Sequence, residues 1–237
     1  MSDTATEIAH ADAGGIVDGH RSRRLALVVG SPVPSPTGCY ARAGKRSLDL
    51  VVALSAFVAL APILALTWLT LRCTVGRGVV LRQRRIGRHG DEFCLLKFRT
   101  MHHCRRSSDE YDDWRGDDRR ETHKSDDDPR HTRVGRIVRK FSLDELPQLF
   151  NVVRGDMSVV GPRPELASAA ASSFRAHPRH LVRPGLTGPF QVSDLRRSGD
   201  LRRGLALDTD YVQQLSLRND VGYLLRTVRC LVRGTGS

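Results

Sequence analysis

Aromatic residues are scarce in this chain, 5% of 237 residues. Single-stranded nucleic acids are bound by stacking bases on aromatic side chains, so base-stacking surfaces would be sparse here. Cysteines are few and scattered: Cys39, Cys73, Cys94, Cys104 and Cys230, an odd number with no C-x-x-C pair. Their spacing fits neither a disulfide framework nor a zinc site, and reads as reduced thiols in a cytosolic setting. His102 and His103 beside Cys104 do not change this, because adjacent histidines in a loop rarely share one metal. The acidic clusters between Asp109 and Asp128 lack EF-hand spacing and read as a solvated surface loop. No secretory signal is read: Met1-Ser2-Asp3-Thr4 opens no basic segment followed by an apolar one.

Positive charge is present in quantity. The formal net charge is +12 and the isoelectric point is about 10.3. Such a balance points to a polyanionic partner: nucleic acid, an anionic membrane surface or phosphorylated small molecules. The length suits one domain with a sizeable core. Residues 1–44, rich in Gly, Ala, Ser, Pro and Thr, read as a mostly disordered tail, with Leu25 to Val29 as a short strand at most.

One long apolar run, Leu48 to Leu71, follows the tail. Its length suits a bilayer span of roughly 20 residues. Pro62 near its middle removes a backbone hydrogen bond and predicts a kink. Basic residues flank both ends: Arg42, Lys45 and Arg46 before, Arg72 and Arg77 after. The positive-inside rule keeps basic flanks cytoplasmic. A helix that breaks at Pro62, dips in and returns satisfies both facts; a tilted span and a buried soluble helix are the alternatives.

Arg72, Arg77, Arg82, Arg84, Arg85 and Arg88 crowd the next segment, and beside an apolar run headgroup contact is favoured over a merely solvated face. Val79 to Leu81 and Phe93 to Phe98 read as strands joined by the turn Ile86-Gly87-Arg88-His89-Gly90, a hairpin. Val134, Ile137, Val138 and Phe141 share one helical face. Ser142 with Glu145 three residues later reads as a capping box, starting a helix at Leu143 with Asp144 and Glu145 in its first turn. Capping and catalysis are level as explanations of that pair. Gly155 to Pro164 reads as a loop in which Pro162 and Pro164 stiffen Arg163, for phosphate recognition or for a structural ion pair. Residues 165–180 read as helical. Val182 to Val192 reads as a Gly/Pro-rich turn leading to a short strand, residues 194–204 as basic and polar, and Leu207 to Arg229 as one amphipathic helix, lipid-facing or core-facing.

These motifs, in one order, resemble the bacterial sugar transferase family, the polyprenyl-phosphate sugar-1-phosphate transferases that initiate surface glycan assembly. The resemblance runs from Lys45-Arg46-Ser47-Leu48-Asp49 through Arg82-Gln83-Arg84-Arg85-Ile86-Gly87 and Lys97-Phe98-Arg99-Thr100-Met101. It continues through Arg130 to Arg136, nearly all of Ser142 to Pro164, Arg183-Pro184-Gly185-Leu186-Thr187-Gly188, Asp210-Tyr211, Ser216-Leu217 and Asp220. It covers roughly residues 45 to 230, leaving the tail outside. The family often has Ser before the proline of its membrane helix; this chain has Ala61 and lacks that hydroxyl.

The resemblance implies an α+β, mostly helical monotopic membrane protein. A tail (1–44) precedes a re-entrant helix broken at Pro62 (45–72) and a small cytoplasmic catalytic domain with a short β-hairpin (73–237). It implies transfer of a sugar 1-phosphate from a nucleotide sugar, a UDP-sugar, to a membrane polyprenyl phosphate such as undecaprenyl phosphate, with release of a nucleoside monophosphate. By motif, Asp144 is the nucleophile that forms a phosphosugar-aspartyl intermediate, and Glu145 helps bind Mg²⁺. Lys97, Arg139 and Arg163 are candidates for phosphate contacts. Lys45 and Arg46 are expected at lipid headgroups or as topology determinants. The implied setting is the bacterial inner membrane, catalytic domain on the cytoplasmic face, in exopolysaccharide or other surface glycan synthesis; a homodimer is left open. No nucleic-acid partner is expected. The competing reading is a basic membrane-associated or nucleic-acid-binding protein without catalysis.

Overall fold

The apolar run folds as one long helix, α1 (Lys45–Thr74), entered through a π-helical turn at Tyr40–Gly44. The structure, a computed structural model, describes residues 33–101, 132–167, 175–193 and 201–232. It is mostly helical, with four short strands among the described residues. Residues 1–32 of the tail expected over 1–44, the acidic segment with His102 and His103, and the middle of the helix expected over 165–180 lie outside the described residues; the end of that tail, Tyr40–Gly44, is helical.

α1 is long and apolar enough to cross a membrane by length and composition. Val51, Leu54, Phe57, Val58, Ile63, Leu66, Trp68 and Leu69 are all exposed, so apolar residues occupy most of its circumference. The helix runs through Pro62 without interruption, so no break shows at the residue where one is expected. The two ends of α1 are packed while the middle is not: Ala53 joins a core with Leu149, Val152, Val160 and Tyr211, and Leu71 joins a second with Val79, Phe98 and Val138.

The hairpin forms as expected. Strands β1 (Val80–Ile86) and β2 (Glu92–Phe98) pair antiparallel, with Arg85 opposite Phe93 and Leu81 opposite Lys97. A 3₁₀ turn at Arg88–Gly90 joins them, with His89 and Gly90 in the left-handed region. Helix α2 (Arg133–Lys140) is capped by Thr132, whose hydroxyl accepts from the Gly135 N–H at 2.7 Å. Gly135 sits so close to the Thr100 carbonyl that a Cβ there would lie 2.0 Å from its oxygen. The expected apolar face of α2 is split: Val138 is buried, but Ile137 and Phe141 are exposed.

Ser142 does not start a helix. It has φ 54°, ψ 23°, makes no side-chain cap, and its N–H donates to the Arg139 carbonyl at 2.9 Å. That left-handed residue closes α2, as the residue after a helix commonly does. Leu143–Glu145 is then a single 3₁₀ turn, and helix α3 (Gln148–Arg154) begins only after Pro147. Proline has no N–H to give and its fixed φ suits a helix entry, so it takes the start that the capping-box pattern placed earlier.

The expected loop from Gly155 to Pro164 contains strand β3 (Ser158–Val160), paired parallel with β4 (Gly185–Thr187). Hence the turn segment Val182 to Val192 holds its strand near its beginning. Glycine permits this layer: a Cβ on Gly185 would lie 2.1 Å from the Gly161 nitrogen, and one on Gly188 2.0 Å from the Gly161 oxygen. The single helix expected over Leu207 to Arg229 is two, α4 (Leu201–Gln213) and α5 (Leu217–Val232). Ser216 starts the second, its hydroxyl accepting from Asn219 N–H at 3.4 Å, while the Asn219 amide donates to the Gln214 carbonyl.

Candidate active site

The Leu143–Glu145 turn lies against β2, and there Asp144 meets Lys97. Asp144 is 1% exposed, and the Lys97 ammonium stands 2.7 Å from its Oδ2. The approach is that of an ion pair, off the direction of a well-aligned hydrogen bond. A buried carboxylate costs several kcal/mol, of that order, unless it is paired; Lys97 supplies the pairing. Asn151 fixes the strand that carries Lys97. Its Oδ1 accepts from Leu96 N–H at 2.9 Å and its Nδ2 donates to the Cys94 carbonyl at 2.7 Å, bolting α3 to β2.

A narrow cavity opens beside the pair, lined by Arg85, Leu95, Lys97, Glu145, Gln148, Arg163, Pro164, Gly185, Leu186 and Gln191. Its free volume is about 20 Å³, close to the space one water needs. A phosphate therefore enters only as side chains shift. Three cations and Glu145 face this small space. Arg85 donates to the Pro164 carbonyl at 3.0 Å and to Gln83 Oε1 at 2.7 Å. Burial, and then the neighbouring Arg163 charge, push Arg85 down to about 10. Two guanidinium groups that repel each other under partial burial favour an anion between them.

Arg163 is held by its backbone. The buried Arg179 donates to the Arg163 carbonyl at 2.6 Å and pairs with Asp208 at 2.8 Å and Glu165 at 3.3 Å. Burial raises the Asp208 carboxyl to about 6, against the pull of Arg179.

The structure thus brings Asp144, Glu145, Lys97 and Arg163 together. Arg139 sits half-buried in the last turn of α2 and is not among the residues lining the cavity. Lys45 and Arg46 turn inward rather than to headgroups. Lys45 is 8% exposed, 2.8 Å from Asp220 and 3.4 Å from Asp49, and donates to the Val160 carbonyl at 2.9 Å. Asp49 in turn accepts from Ser158 Oγ at 2.8 Å and Val159 N–H at 2.9 Å. Arg46 donates to the Val152 and Val153 carbonyls at 2.6 and 2.7 Å, completing the open carbonyl end of α3. The basic pair therefore ties α1 to the layer that carries Arg163. A long gap in sequence separates these partners, which is why local charge suggested lipid.

Arg85, Gln148 and Gln191 were not singled out from the sequence. The signal for Arg85 was available: strand alternation over β1 and β2 sends Arg85 and Lys97 to one face. Gln148 and Gln191 carry no local pattern that distinguishes them from surface glutamines.

A buried aspartate ion-paired to Lys97 beside clustered arginines is an arrangement suited to chemistry on anionic groups. A family model described as bacterial sugar transferase matches residues 40–234, and the chain belongs to that family. It is 39% identical over 223 residues to the exopolysaccharide production protein ExoY of Sinorhizobium fredii, covering 86% of this chain and 94% of that protein. It is 40% identical over 224 residues to the UDP-glucose:undecaprenyl-phosphate glucose-1-phosphate transferase of Caulobacter vibrioides, covering 90% and 78% respectively. The undecaprenyl-phosphate galactose phosphotransferase of Salmonella typhimurium is 36% identical over 200 residues, 81% of this chain and 41% of that longer protein.

Proposed function

We propose that this protein transfers a sugar 1-phosphate from a UDP-sugar to undecaprenyl phosphate at the cytoplasmic face of the bacterial inner membrane, initiating exopolysaccharide or another surface glycan. The observation that carries the reading is the Asp144–Lys97 pair beside Glu145, Arg85 and Arg163, in a chain of this family. Asp144 Oδ attacks the β-phosphorus of the donor. The bond from that phosphorus to the bridging oxygen breaks, and the nucleoside monophosphate leaves. An oxygen of the polyprenyl phosphate then attacks the same phosphorus and releases the carboxylate. A carboxylate does this chemistry when charge on the diphosphate is neutralised. Lys97, Arg85 and Arg163 stand where that neutralisation is needed, and Lys97 frees Asp144 as its own charge turns to the phosphate.

Among the described residues no group of three or more His, Cys, Asp or Glu comes together. Mg²⁺ needs none: it keeps waters, takes phosphate oxygens, and uses one or two carboxylates. Glu145, a hard oxygen donor facing the cavity, fits that requirement. Bound there, Mg²⁺ would supply positive charge to the diphosphate oxygens.

Both ends of α1 pack on the same domain, which supports a helix held from one side of the bilayer, although the helix continues through Pro62. Its first turns pack on α3 and β3, and its last turns on α2 and the hairpin, while the exposed apolar residues cluster between, around Pro62. A domain on one side of a bilayer cannot hold both ends of a helix that crosses it once. Cysteine labelling should find both flanks closed to external reagent in intact cells; external labelling of either flank overturns this topology.

Asp144→Asn tests the chemistry. It is expected to abolish nucleoside monophosphate release from a UDP-sugar in membranes containing polyprenyl phosphate. Full turnover by this variant would remove Asp144 as nucleophile.

A further inference from the structure

A larger cavity, about 530 Å³, lies away from Asp144. It sits between the end of α1 and the outer face of the hairpin, and its walls include Trp68, Arg72, Arg77, Arg82 and Leu96. The strand register decides which side of the hairpin this is. Arg82 pairs with Leu96 and shares its face, whereas Arg85 and Lys97 project from the opposite face into the active site. The hairpin backbone therefore separates the two cavities.

We propose that Arg72, Arg77 and Arg82, with Trp68, bind the phosphate headgroup of an anionic membrane phospholipid. Three observations carry this. First, all three arginines are exposed, and none of them pairs with a carboxylate among the described residues; Arg84, on the same strand, approaches Glu92. Second, a further cation stands close by: the Arg99 guanidinium lies 3.5 Å from where a Cβ on Gly78, a residue of the wall, would stand. Guanidinium forks match phosphate oxygens geometrically. Third, the cationic walls continue into apolar ones. Trp68 is 46% exposed, Leu69 55% and Val80 40%, and they merge with the exposed apolar surface of α1. A free phosphate has no use for that surface; a phospholipid lays its chains along it, with Trp68 at headgroup level. The volume falls within the roughly 300–1,000 Å³ of small-molecule sites.

This site rests on the reading that α1 lies in the membrane, and the experiment separates the two. Full-length protein is reconstituted in vesicles of phosphatidylcholine alone or with phosphatidylglycerol, floated, extracted gently and examined by native mass spectrometry. The wild type is expected to float with both vesicles and to retain phosphatidylglycerol over phosphatidylcholine by about tenfold or more, since basic side chains near the surface attract anionic headgroups. Arg72→Gln/Arg77→Gln/Arg82→Gln is expected to float and to lose that preference, while Asp144→Asn keeps it. Arg82→Glu alone, at an exposed strand position, reduces the preference if the triple variant does not fold. Failure of the wild type to float defeats the membrane reading. Flotation without lipid preference, or an unchanged preference in the variants that fold, overturns the site alone. Displacement of phosphatidylglycerol by millimolar inorganic phosphate, or by an equimolar prenyl phosphate, overturns the phospholipid assignment in favour of that ligand.

Discussion

On one face of the β1–β2 hairpin, Arg85 and Lys97 are half-buried against Asp144, Glu145 and the Arg163 loop; on the other, Arg82 and Arg84 stand exposed. The residue types are the same and the positions adjacent. What differs is what packs above them. The inner face is covered by the Leu143–Glu145 turn, α3 and the β3–β4 layer, so its cations lose water and hold fixed partners. The outer face is covered among the described residues only near its ends, by α1 and α2 around Phe98 and by Arg175 at Glu92, and Arg82 and Arg84 between them stay exposed. A cation on the inner face is part of a preorganised site, and one on the outer face is solvent-exposed and takes no part in it.

Replacing Lys97 tests the inner face most severely. Lys97→Met leaves Asp144 buried without its partner and removes a phosphate cation. The expected fall in kcat/KM is about 10³-fold, about 4 kcal/mol. Arg82→Met, on the outer face, is expected to leave turnover in detergent within about twofold. Nucleoside monophosphate release measures both, and equal losses would erase the distinction between the faces.

Arg85→Lys sharpens the comparison. Lysine keeps the charge but loses the fork that reaches both Gln83 and the Pro164 carbonyl. A fall in kcat/KM of roughly 10- to 100-fold, about 1.4–2.8 kcal/mol, is expected, with a thermal midpoint within a few degrees of wild type. Activity equal to wild type would show that charge alone suffices on this face.

Much of this was legible from sequence because it is local. The apolar run, the hairpin and the Asp144–Glu145 pair each announce themselves over a few residues. The errors came where a local pattern competed with a non-local one. Ser142 and Glu145 fit a capping box, yet Ser142 ends α2 and Pro147 opens α3. Lys45 and Arg46 beside an apolar helix suggest headgroups, yet Asp220 and the carbonyls of α3 claim them from more than 100 residues away. β3 was hidden, and β4 lay earlier in its segment than expected, because their pairing depends on three glycines that read as turn residues. Arg85 was hidden in a row of arginines that only the register sorts.

Acid should loosen the inner face through the tip of the hairpin. The Pro178–Leu181 turn docks there, with Arg88 donating to the Leu181 carbonyl at 3.2 Å and Arg175 to the Gly90 carbonyl at 3.3 Å. Burial, then the Arg179 charge, push His177 and His180 down to about 4. The unfolded chain therefore takes up these two protons first, and the stability present above pH ~6.5 is lost progressively as pH falls toward 4. Asp208 opposes this. Its folded carboxyl is raised to about 6, so its contribution is full below pH ~4 and is lost as pH rises toward 6. Two histidine protons outweigh one aspartate proton, each worth up to about 1.4 kcal/mol per pH unit. The thermal midpoint should fall between pH 7 and 5, and His180→Phe should flatten that slope; an unchanged slope in the variant would remove the tip as the acid-sensitive element.

The smallest effect is expected one residue from one of the largest. Arg84 neighbours Arg85 in sequence, but its side chain is 85% exposed and reaches Glu92 only at 3.8 Å. Glu92 keeps a better partner without it: Arg175 donates to it at 2.7 Å and, by that hydrogen bond first, holds its carboxyl below the usual range. Exposed pairs of this kind contribute little. Arg84→Gln should therefore leave turnover within about twofold and the thermal midpoint within about 2 °C. A tenfold loss of turnover here would mean that the outer face takes part in the reaction, and the contrast between the faces would then follow from something other than burial under the Asp144 turn.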